Sequence, residues 1–404
     1  KDDVEALDFT QWDKLIDKIA KDLHDGKIKP SDLNEESINL TYNELNKAAE
    51  SGYGKDWISL PGDGKGSLPN ELKKNLYMFS GAKSYAMLKQ LNDMLYDNNG
   101  KLRPFNEYEA LARKLNRQYN RNWLQAEWQT ARTAAQMAQK WERIQETKDL
   151  FPNLEFRTVG DDRVRKDHQE LHGIIKPIDD EFWTKYYPPL DWRCRCDVVP
   201  TAENPKGEVP KNMHPPKFVG NVGIDKEIFQ SNHNFFRLIN DDKEALRNRE
   251  LMKLNAPNIK HPKNKKVEVS IFADRNEPEF STNLEVALRI ADKLKLKVLI
   301  RAHILIDKWP NPEYLINGKI ADRKAPLGLS LRRVLSKATK QGSQIVVIDL
   351  KDNPNSITAI LDQLRGNFKL ESNYKSIQEV IIISKDRKEI KHYYRKDITK
   401  EKGE

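Results

Sequence analysis

The chain has 404 residues, of which 38% are hydrophobic and 32% charged, and its net charge is +9. This length exceeds what one compact core usually holds, so we expect two or three domains. No apolar run of about 18 residues occurs, which argues against a membrane partner. The chain has only two cysteines, which excludes a disulfide-rich scaffold and suits a reducing compartment.

The positive charge belongs to the C-terminal part of the chain. Residues 251–404 contain 31 Lys and Arg against 19 Asp and Glu, whereas residues 1–250 contain 39 against 42. Nucleic-acid binding requires such a basic domain, because neutralisation of phosphates drives the affinity. A lysine-rich surface that is only solvated is the alternative.

Three regions follow one another along the chain. Residues 1–150 are predicted to be mainly α-helical, because apolar residues recur at helical spacing. Residues 151–255 predict a small, loop-rich α+β domain, since short apolar runs alternate with Pro, Gly and charged residues. Residues 256–404 predict an α/β domain. The expected fold class is therefore multidomain.

The middle region carries a set of short motifs between residues 156 and 200. The motifs are Arg157-Thr158, Gly160-Asp161, Leu171-His172-Gly173, Pro188-Pro189 and Trp192 before Cys194-Arg195-Cys196. With these motifs the segment resembles the phage Mu F-like minor head protein family, which usually has Gly where this chain has Arg193. The resemblance implies a minor head component that contacts phage portal or capsid proteins and takes part in DNA packaging or ejection.

Four residues of this region are candidate zinc ligands. His168 and His172 are spaced i, i+4 on a predicted short helix, and Cys194 and Cys196 are spaced i, i+2 on an extended segment, so each pair shares a face. Two thiolates and two imidazoles can bind tetrahedral zinc. The alternative is a packed pair of reduced thiols with histidines bonded to carboxylates. The Cys-x-Cys spacing, tighter than the usual zinc spacing, favours that alternative.

A hairpin is predicted at "NPEYLINGKIADRK" (311–324), because Asn317-Gly318 suits a two-residue turn with positive φ. The turn sets a register in which Glu313 faces Asp322. Side chains alternate along a strand, so Glu313, Asp322 and Lys324 are predicted to share one face.

Two opposed carboxylates repel each other unless a cation offsets their charge. Mg²⁺ or another divalent cation held by Glu313 and Asp322 would activate water for phosphodiester hydrolysis, with Lys324 supporting the nucleophile or the developing charge. A solvated hairpin in which Lys324 only pairs with Asp322 is the alternative.

The elements around the hairpin are predicted in the order α-β-β-β-α-β. This order resembles the PD-(D/E)XK nuclease superfamily, although Glu313 stands where that superfamily has Asp. Further features of the region are Asn311-Pro312, Asn317-Gly318-Lys319, Asp322-x-Lys324, Lys337-Ala338, Gln341 and the strand 346–349. In these features the region more closely resembles the C-terminal tRNase domains of contact-dependent growth-inhibition toxins and other polymorphic toxins.

Some relatives of this kind belong to metal-independent ribonucleases that cleave through the ribose 2′-OH. In that mechanism Lys324 and His303 would supply acid, base and charge stabilisation; Gln341 is a lesser candidate. Arg333, Lys337 and Lys340 form one stripe of a predicted helix and are expected to bind the RNA backbone, or else to be a solvated helix face.

Together these expectations describe a phage-encoded polymorphic toxin. A Mu F-like head module would place it in a virion or in the producer's cytoplasm. A C-terminal nuclease would cleave RNA, with tRNA as the expected substrate, in the cytoplasm of a target cell, and an immunity protein would protect the producer. The metal-based site does not by itself distinguish RNA from DNA. The alternative is a structural head protein whose basic C-terminal domain binds packaged DNA.

Overall fold

A computed structural model of the chain describes residues 9–58, 67–328, 330–369 and 374–400. The described residues form two compact units that divide between Arg249 and Glu250, whereas the sequence places this division near residue 255. Both units contain helices and strands, so the protein is a multidomain mixed α/β chain. No described helix combines the length and apolar composition that crossing a bilayer requires.

The first unit begins with amphipathic helices. The first helix buries Trp12, Ile16, Ile19 and Leu23, which recur at helical spacing. Within the helical run of residues 105–147, a π-helical turn occupies Arg117–Trp123. The helices are α1 (Thr10–His24), α2 (Glu35–Tyr53), α3 (Leu68–Asp93), α4 (Phe105–Asn116) and α5 (Leu124–Thr147).

A small antiparallel sheet follows in the same unit. Its central strand is β1 (Asn153–Arg157), which pairs with both β2 and β3. The short helix α6 lies between β1 and β2 in the chain, and three further helices follow the sheet. Their bounds are α6 (Lys166–Gln169), β2 (Ile175–Pro177), β3 (Asp197–Thr201), α7 (Val222–Asp225), α8 (Asn234–Asn240) and α9 (Lys243–Leu251).

The second unit is built on an eight-stranded mixed sheet. Its strand order is β11-β10-β9-β8-β7-β6-β5-β4, with β8, β9 and β10 parallel and β7 antiparallel to β8. The elements are β4 (Asn258–Lys260), β5 (Val267–Ser270), α10 (Phe280–Leu294), β6 (Val298–Ile300), β7 (Tyr314–Ile316), β8 (Lys319–Lys324), α11 (Arg332–Lys340), β9 (Ile345–Asp349), α12 (Ile357–Phe368), β10 (Glu379–Ile383), β11 (Ile390–Tyr394) and α13 (Arg395–Thr399).

Helices cover both faces of this sheet, which explains why β9 and β10 are buried along their whole length. Val286 and Ile290 of α10 pack on the face that carries Tyr314 and Val347. Helices α11 and α12 pack on the opposite face, which carries Val346 and Ile348. The predicted order α-β-β-β-α-β is present from α10 to β9.

The apolar pattern of residues 297–305 predicts one strand, but strand β6 ends at Ile300. The cause is a side chain that replaces the strand ladder. The amide of Asn311 accepts a hydrogen bond from Ile304 N at 2.8 Å and donates one to Ile304 O at 3.0 Å. The segment between β6 and β7 therefore leaves the sheet and lies beside the start of β7.

Candidate functional site

The hairpin between β7 and β8 has the predicted geometry. Asn317 and Gly318 have φ values of 46° and 80°, as the two-residue turn requires. The register pairs Ile316 with Lys319 and Tyr314 with Ala321. The predicted register is thus confirmed, and the next pair outward is Glu313 opposite Asp322.

Glu313, Asp322 and Lys324 form a cluster at the end of this hairpin. Lys324 Nζ lies 2.6 Å from Asp322 Oδ2 and 3.9 Å from Glu313 Oε1. The carboxylate of Glu313 also accepts a hydrogen bond from the backbone N–H of Arg323 at 2.8 Å, which fixes Glu313 against β8. The Asp322 side chain is 1% exposed, whereas those of Lys324 and Glu313 are 21% and 20% exposed. Solvent therefore reaches the cluster through Lys324 and Glu313.

Negative charge is in excess in this cluster. Burial and the neighbouring Asp322 carboxyl raise the pKa of Glu313 to about 8, and Lys324 offsets only part of this effect. Glu313 therefore holds a proton at neutral pH. A second positive charge close to the two carboxylates would favour their ionised form.

The opposite face of the same strand carries a different cluster, which the sequence did not predict. Arg323 donates to Asp349 at 3.3 Å and to Glu279 at 2.8 Å, and Arg387 donates to Asp349 at 2.7 Å and to Glu285 at 2.7 Å. Asp349 is fully buried between the two guanidinium groups. Its neighbours are 26 and 38 residues away in the sequence, so no local motif signals it.

His303 and Glu313 line the same small cavity, of about 70 Å³. Arg301 and Asn311 contribute to the same wall, and Arg301 Nη1 also donates to the carbonyl of Pro312 at 3.3 Å. Sequence reasoning missed Arg301 and Asn311, because the pattern of residues 297–305 predicts one continuous strand. The cavity thus brings a histidine and an arginine to the edge of the acidic cluster.

The remaining nucleic-acid candidates lie on or next to α11. Arg333, Lys337 and Lys340 are exposed, and in the described parts of the chain no ion pair joins them to an acidic residue. Gln341 follows as the C-terminal cap of this helix and is half-buried. Within the described residues no hydrogen bond connects the Gln341 side chain to Glu313, Asp322 or Lys324.

In the first unit, three of the four predicted zinc ligands come together. His168, Cys194 and Cys196 are buried, and their donor atoms lie within 4.8 Å of one another. The placement of His172 was wrong. Helix α6 ends at Gln169, so His172 does not continue its face, and its Nδ1 instead accepts a hydrogen bond from Thr158 N at 3.1 Å.

Two segments of the chain match known families. Residues 78–199 match "Phage Mu protein F like protein", and residues 310–388 match "Contact-dependent growth inhibition CdiA C-terminal domain". The chain joins a Mu F-like domain to a CdiA-type toxin domain. The resemblances to Mu F-like head proteins and to contact-dependent growth-inhibition toxins are confirmed. The toxin-domain match contains Glu313, Asp322, Lys324 and Gln341, and it begins after His303.

Curated relatives match the Mu F-like segment. The chain is 39% identical over 61 residues to the "Putative capsid assembly protein F" of Escherichia phage Mu, covering 15% of this chain and 14% of that protein. It is 42% identical over 74 residues to the "Mu-like prophage FluMu F protein" of Haemophilus influenzae, covering 18% and 17%. The chain thus matches about one sixth of the length of these relatives.

A solved structure matches part of the chain. The "CdiA-CT/CdiI toxin and immunity complex from Burkholderia pseudomallei" is 25% identical, covers 28% of this chain and 82% of its own, and superimposes with a TM-score of 0.23.

Proposed function

We propose that the C-terminal unit is a ribonuclease toxin that cleaves tRNA, and that the Mu F-like domain associates it with a phage particle. The observation that carries the proposal is the cluster of Glu313, Asp322 and Lys324 at the hairpin end, within a segment that matches a toxin domain. Such a cluster provides proton transfer and charge stabilisation, the two requirements of phosphodiester cleavage.

Each residue of the cluster has a distinct role in this proposal. Lys324 faces solvent and lies 2.6 Å from Asp322, which holds its ammonium in place for the developing charge on the scissile phosphate. Glu313 reaches the solvent-facing side and, with a pKa of about 8, can give or accept a proton near neutral pH. Asp322 is buried and acts by positioning Lys324 and by adding negative charge.

The donor set also fits a divalent cation. Two adjacent carboxylates whose charges repel each other are ligands that Mg²⁺ accepts together with several waters. When bound there, a cation would supply an activated water near neutral pH. A metal-free reaction through the ribose 2′-OH would instead use Lys324 with His303, which lines the adjoining cavity. Chelation distinguishes the two routes.

The stripe of Arg333, Lys337 and Lys340 supports a polyanionic substrate. Helix α11 packs on the same face of the sheet that carries Asp322 and Lys324. The three basic residues on its exposed surface therefore lie on the same side of the sheet as the cluster. Phosphate contacts of this kind position a nucleic acid without reading its sequence. The choice of tRNA rests on the resemblance to tRNase toxins.

The proposal includes two kinds of protein partner. Portal or capsid proteins are expected to bind the Mu F-like domain, because the relatives of that segment are named for capsid assembly and Mu-like prophage. A cognate immunity protein is expected to protect the producing cell, because a ribonuclease made in the cytoplasm would otherwise reach the producer's own RNA. Co-expression of a small neighbouring gene should then restore growth of cells that express the chain.

The test is cleavage of total tRNA by the full chain, with and without EDTA. We expect wild-type protein to cleave tRNA, and Asp322→Asn and Lys324→Met to reduce the rate about 10²- to 10⁴-fold. Asp386→Asn, a change at an exposed acid away from the cluster, is the matched control and should leave the rate unchanged. Loss of cleavage in EDTA would assign the cation route.

Two results would overturn the proposal. Equal cleavage by wild type and Asp322→Asn would remove the cluster from the chemistry. Binding of DNA by folded protein that cleaves no nucleic acid would favour the alternative function, a head protein whose basic domain holds packaged DNA.

A further inference from the structure

We propose that His168, Cys194 and Cys196 bind one zinc ion inside the Mu F-like domain, a site independent of the nuclease cluster. The residues are 3%, 2% and 5% exposed, respectively. Both cysteines are free thiols. The cluster therefore consists of two thiols and one imidazole that face one another away from bulk water.

The distances in the cluster match those around a tetrahedral zinc ion. His168 Nδ1 lies 3.7 Å from Cys194 Sγ and 3.5 Å from Cys196 Sγ. Zinc bonds of about 2.3 Å to sulfur and about 2.0–2.1 Å to nitrogen, at tetrahedral angles, separate S and N by about 3.5–3.6 Å. The two distances from nitrogen to sulfur thus have the values expected around zinc, and all three donors lie within 4.8 Å of one another.

The segments that carry the donors are held in place by neighbouring charged groups. Arg195, between the two cysteines, donates to both oxygens of Asp161 at 2.7 and 2.6 Å. Arg165, just before α6, donates to the carbonyl of Trp192 at 2.9 Å. These bonds tie the loop after β1 and the start of α6 to the cysteine segment. The arrangement of donors is therefore fixed by groups other than the ligands themselves.

The backbone next to the cluster is strained. Arg193 has a φ of 57°, in the left-handed region that costs an L-residue roughly 1–2 kcal/mol. The conformation places Cys194 at the start of the Cys-x-Cys segment that turns toward His168. Glycine would adopt this positive φ without the cost.

The donor types select zinc over the hard cation proposed for the nuclease cluster. Thiolate and imidazole ligands suit zinc, whereas Mg²⁺ prefers oxygen. Two thiolates also balance the charge of the ion, so the buried complex is neutral. The described cluster provides three ligands, and a water molecule would complete the tetrahedron. Zinc would thus join α6 to the strand segment that leads into β3.

The experiment measures metal in the full chain, purified under reducing conditions and dialysed against metal-free buffer. We expect about one zinc per chain in wild type, by mass spectrometry of the metal. Cys196→Ser and His168→Ala should lose at least about nine-tenths of it. His172→Ala removes a histidine four residues from His168 that lies outside the cluster, and it should keep full zinc content. Asp322→Asn should also keep it, which separates this site from the nuclease cluster.

Two further measurements do not depend on whether the variants fold. Cobalt added to the zinc-free wild-type chain should produce thiolate-to-cobalt charge-transfer absorption, and zinc should slow the reaction of the two cysteines with a thiol reagent. Wild-type protein without bound zinc, without these bands and with thiols equally reactive in the presence of zinc would overturn the proposal. The cluster would then be a hydrogen-bonded thiol–imidazole group.

Discussion

The two faces of strand β8 carry charged clusters that differ in how their charges are balanced. On one face Asp349 lies between Arg323 and Arg387, so one buried carboxylate meets two guanidinium groups. On the other face Glu313 and Asp322 share a single ammonium, that of Lys324. The first cluster surrounds its fully buried carboxylate with two cations, whereas the second leaves two carboxyl groups to one ammonium, which adds to the effect of burial and raises the pKa of Glu313.

The largest effect on stability should come from the face that carries Asp349. Asp349→Asn would break two buried ion pairs and leave each guanidinium with one glutamate partner, Glu279 or Glu285, which we expect to cost about 1–3 kcal/mol. Asp322→Asn is the matched comparison, because it breaks one ion pair rather than two and leaves Glu313 to pair with Lys324, so it should cost less than Asp349→Asn.

Hydrogen–deuterium exchange of the full chain can measure this difference. Peptides from residues 250–400 should lose protection in Asp349→Asn, and peptides from residues 67–249 serve as an internal reference. Similar losses of protection in Asp349→Asn and Asp322→Asn would mean that the two clusters contribute equally to the stability of the second unit.

The acidic face should make stability depend on pH. Glu313 has a pKa of about 8 in the folded chain and an ordinary value of 4.5 when unfolded. Between these values the folded state binds the extra proton, so its stability falls as pH rises and levels off above about 8. We expect the fall to exceed about 1 kcal/mol, because each unit of pKa difference corresponds to about 1.4 kcal/mol.

Glu313→Gln should abolish this dependence. The urea midpoints of wild type and Glu313→Gln are measured at several pH values from about 5 to about 8. The difference between the two midpoints is compared across pH, because the contributions of other titrating groups cancel in it. A difference that stays constant across this range would show that Glu313 ionises normally.

The basic stripe should affect affinity for RNA more than stability. Changing Arg333, Lys337 and Lys340 to Glu should weaken tRNA binding at least about tenfold. The slope of the logarithm of affinity against the logarithm of salt concentration should become shallower by about 2, because each phosphate contact to a single strand contributes about 0.7. The same change at Lys260, Lys263 and Lys265, near the start of the second unit, keeps the net charge equal. An equal loss in both triple variants would indicate non-specific attraction only.

Local signals in the sequence predicted the hairpin, but they could not predict contacts between residues that are far apart in the chain. Asn317-Gly318 sets the register by its own turn geometry, so the meeting of Glu313, Asp322 and Lys324 follows from alternation. The pairing of β8 with β9 is parallel and follows no tight turn, so the position of Asp349 beside Arg323 is set by packing of the whole sheet. Likewise, the spacing of His172 suggested a ligand, but a helix that ends at Gln169 carries it away.

The smallest effect tests the turn that joins β7 to β8. Gly318 has a φ of 80°, and a methyl group added there would meet open space, so Gly318→Ala changes only backbone strain and should cost about 1 kcal/mol. Gly328→Ala is the control, because that position also has open space and lacks a positive φ; it should be neutral or slightly stabilising. Urea midpoints of the two variants measure the difference. If Gly318→Ala were as stable as Gly328→Ala, the register that brings the acidic cluster together would not depend on this turn.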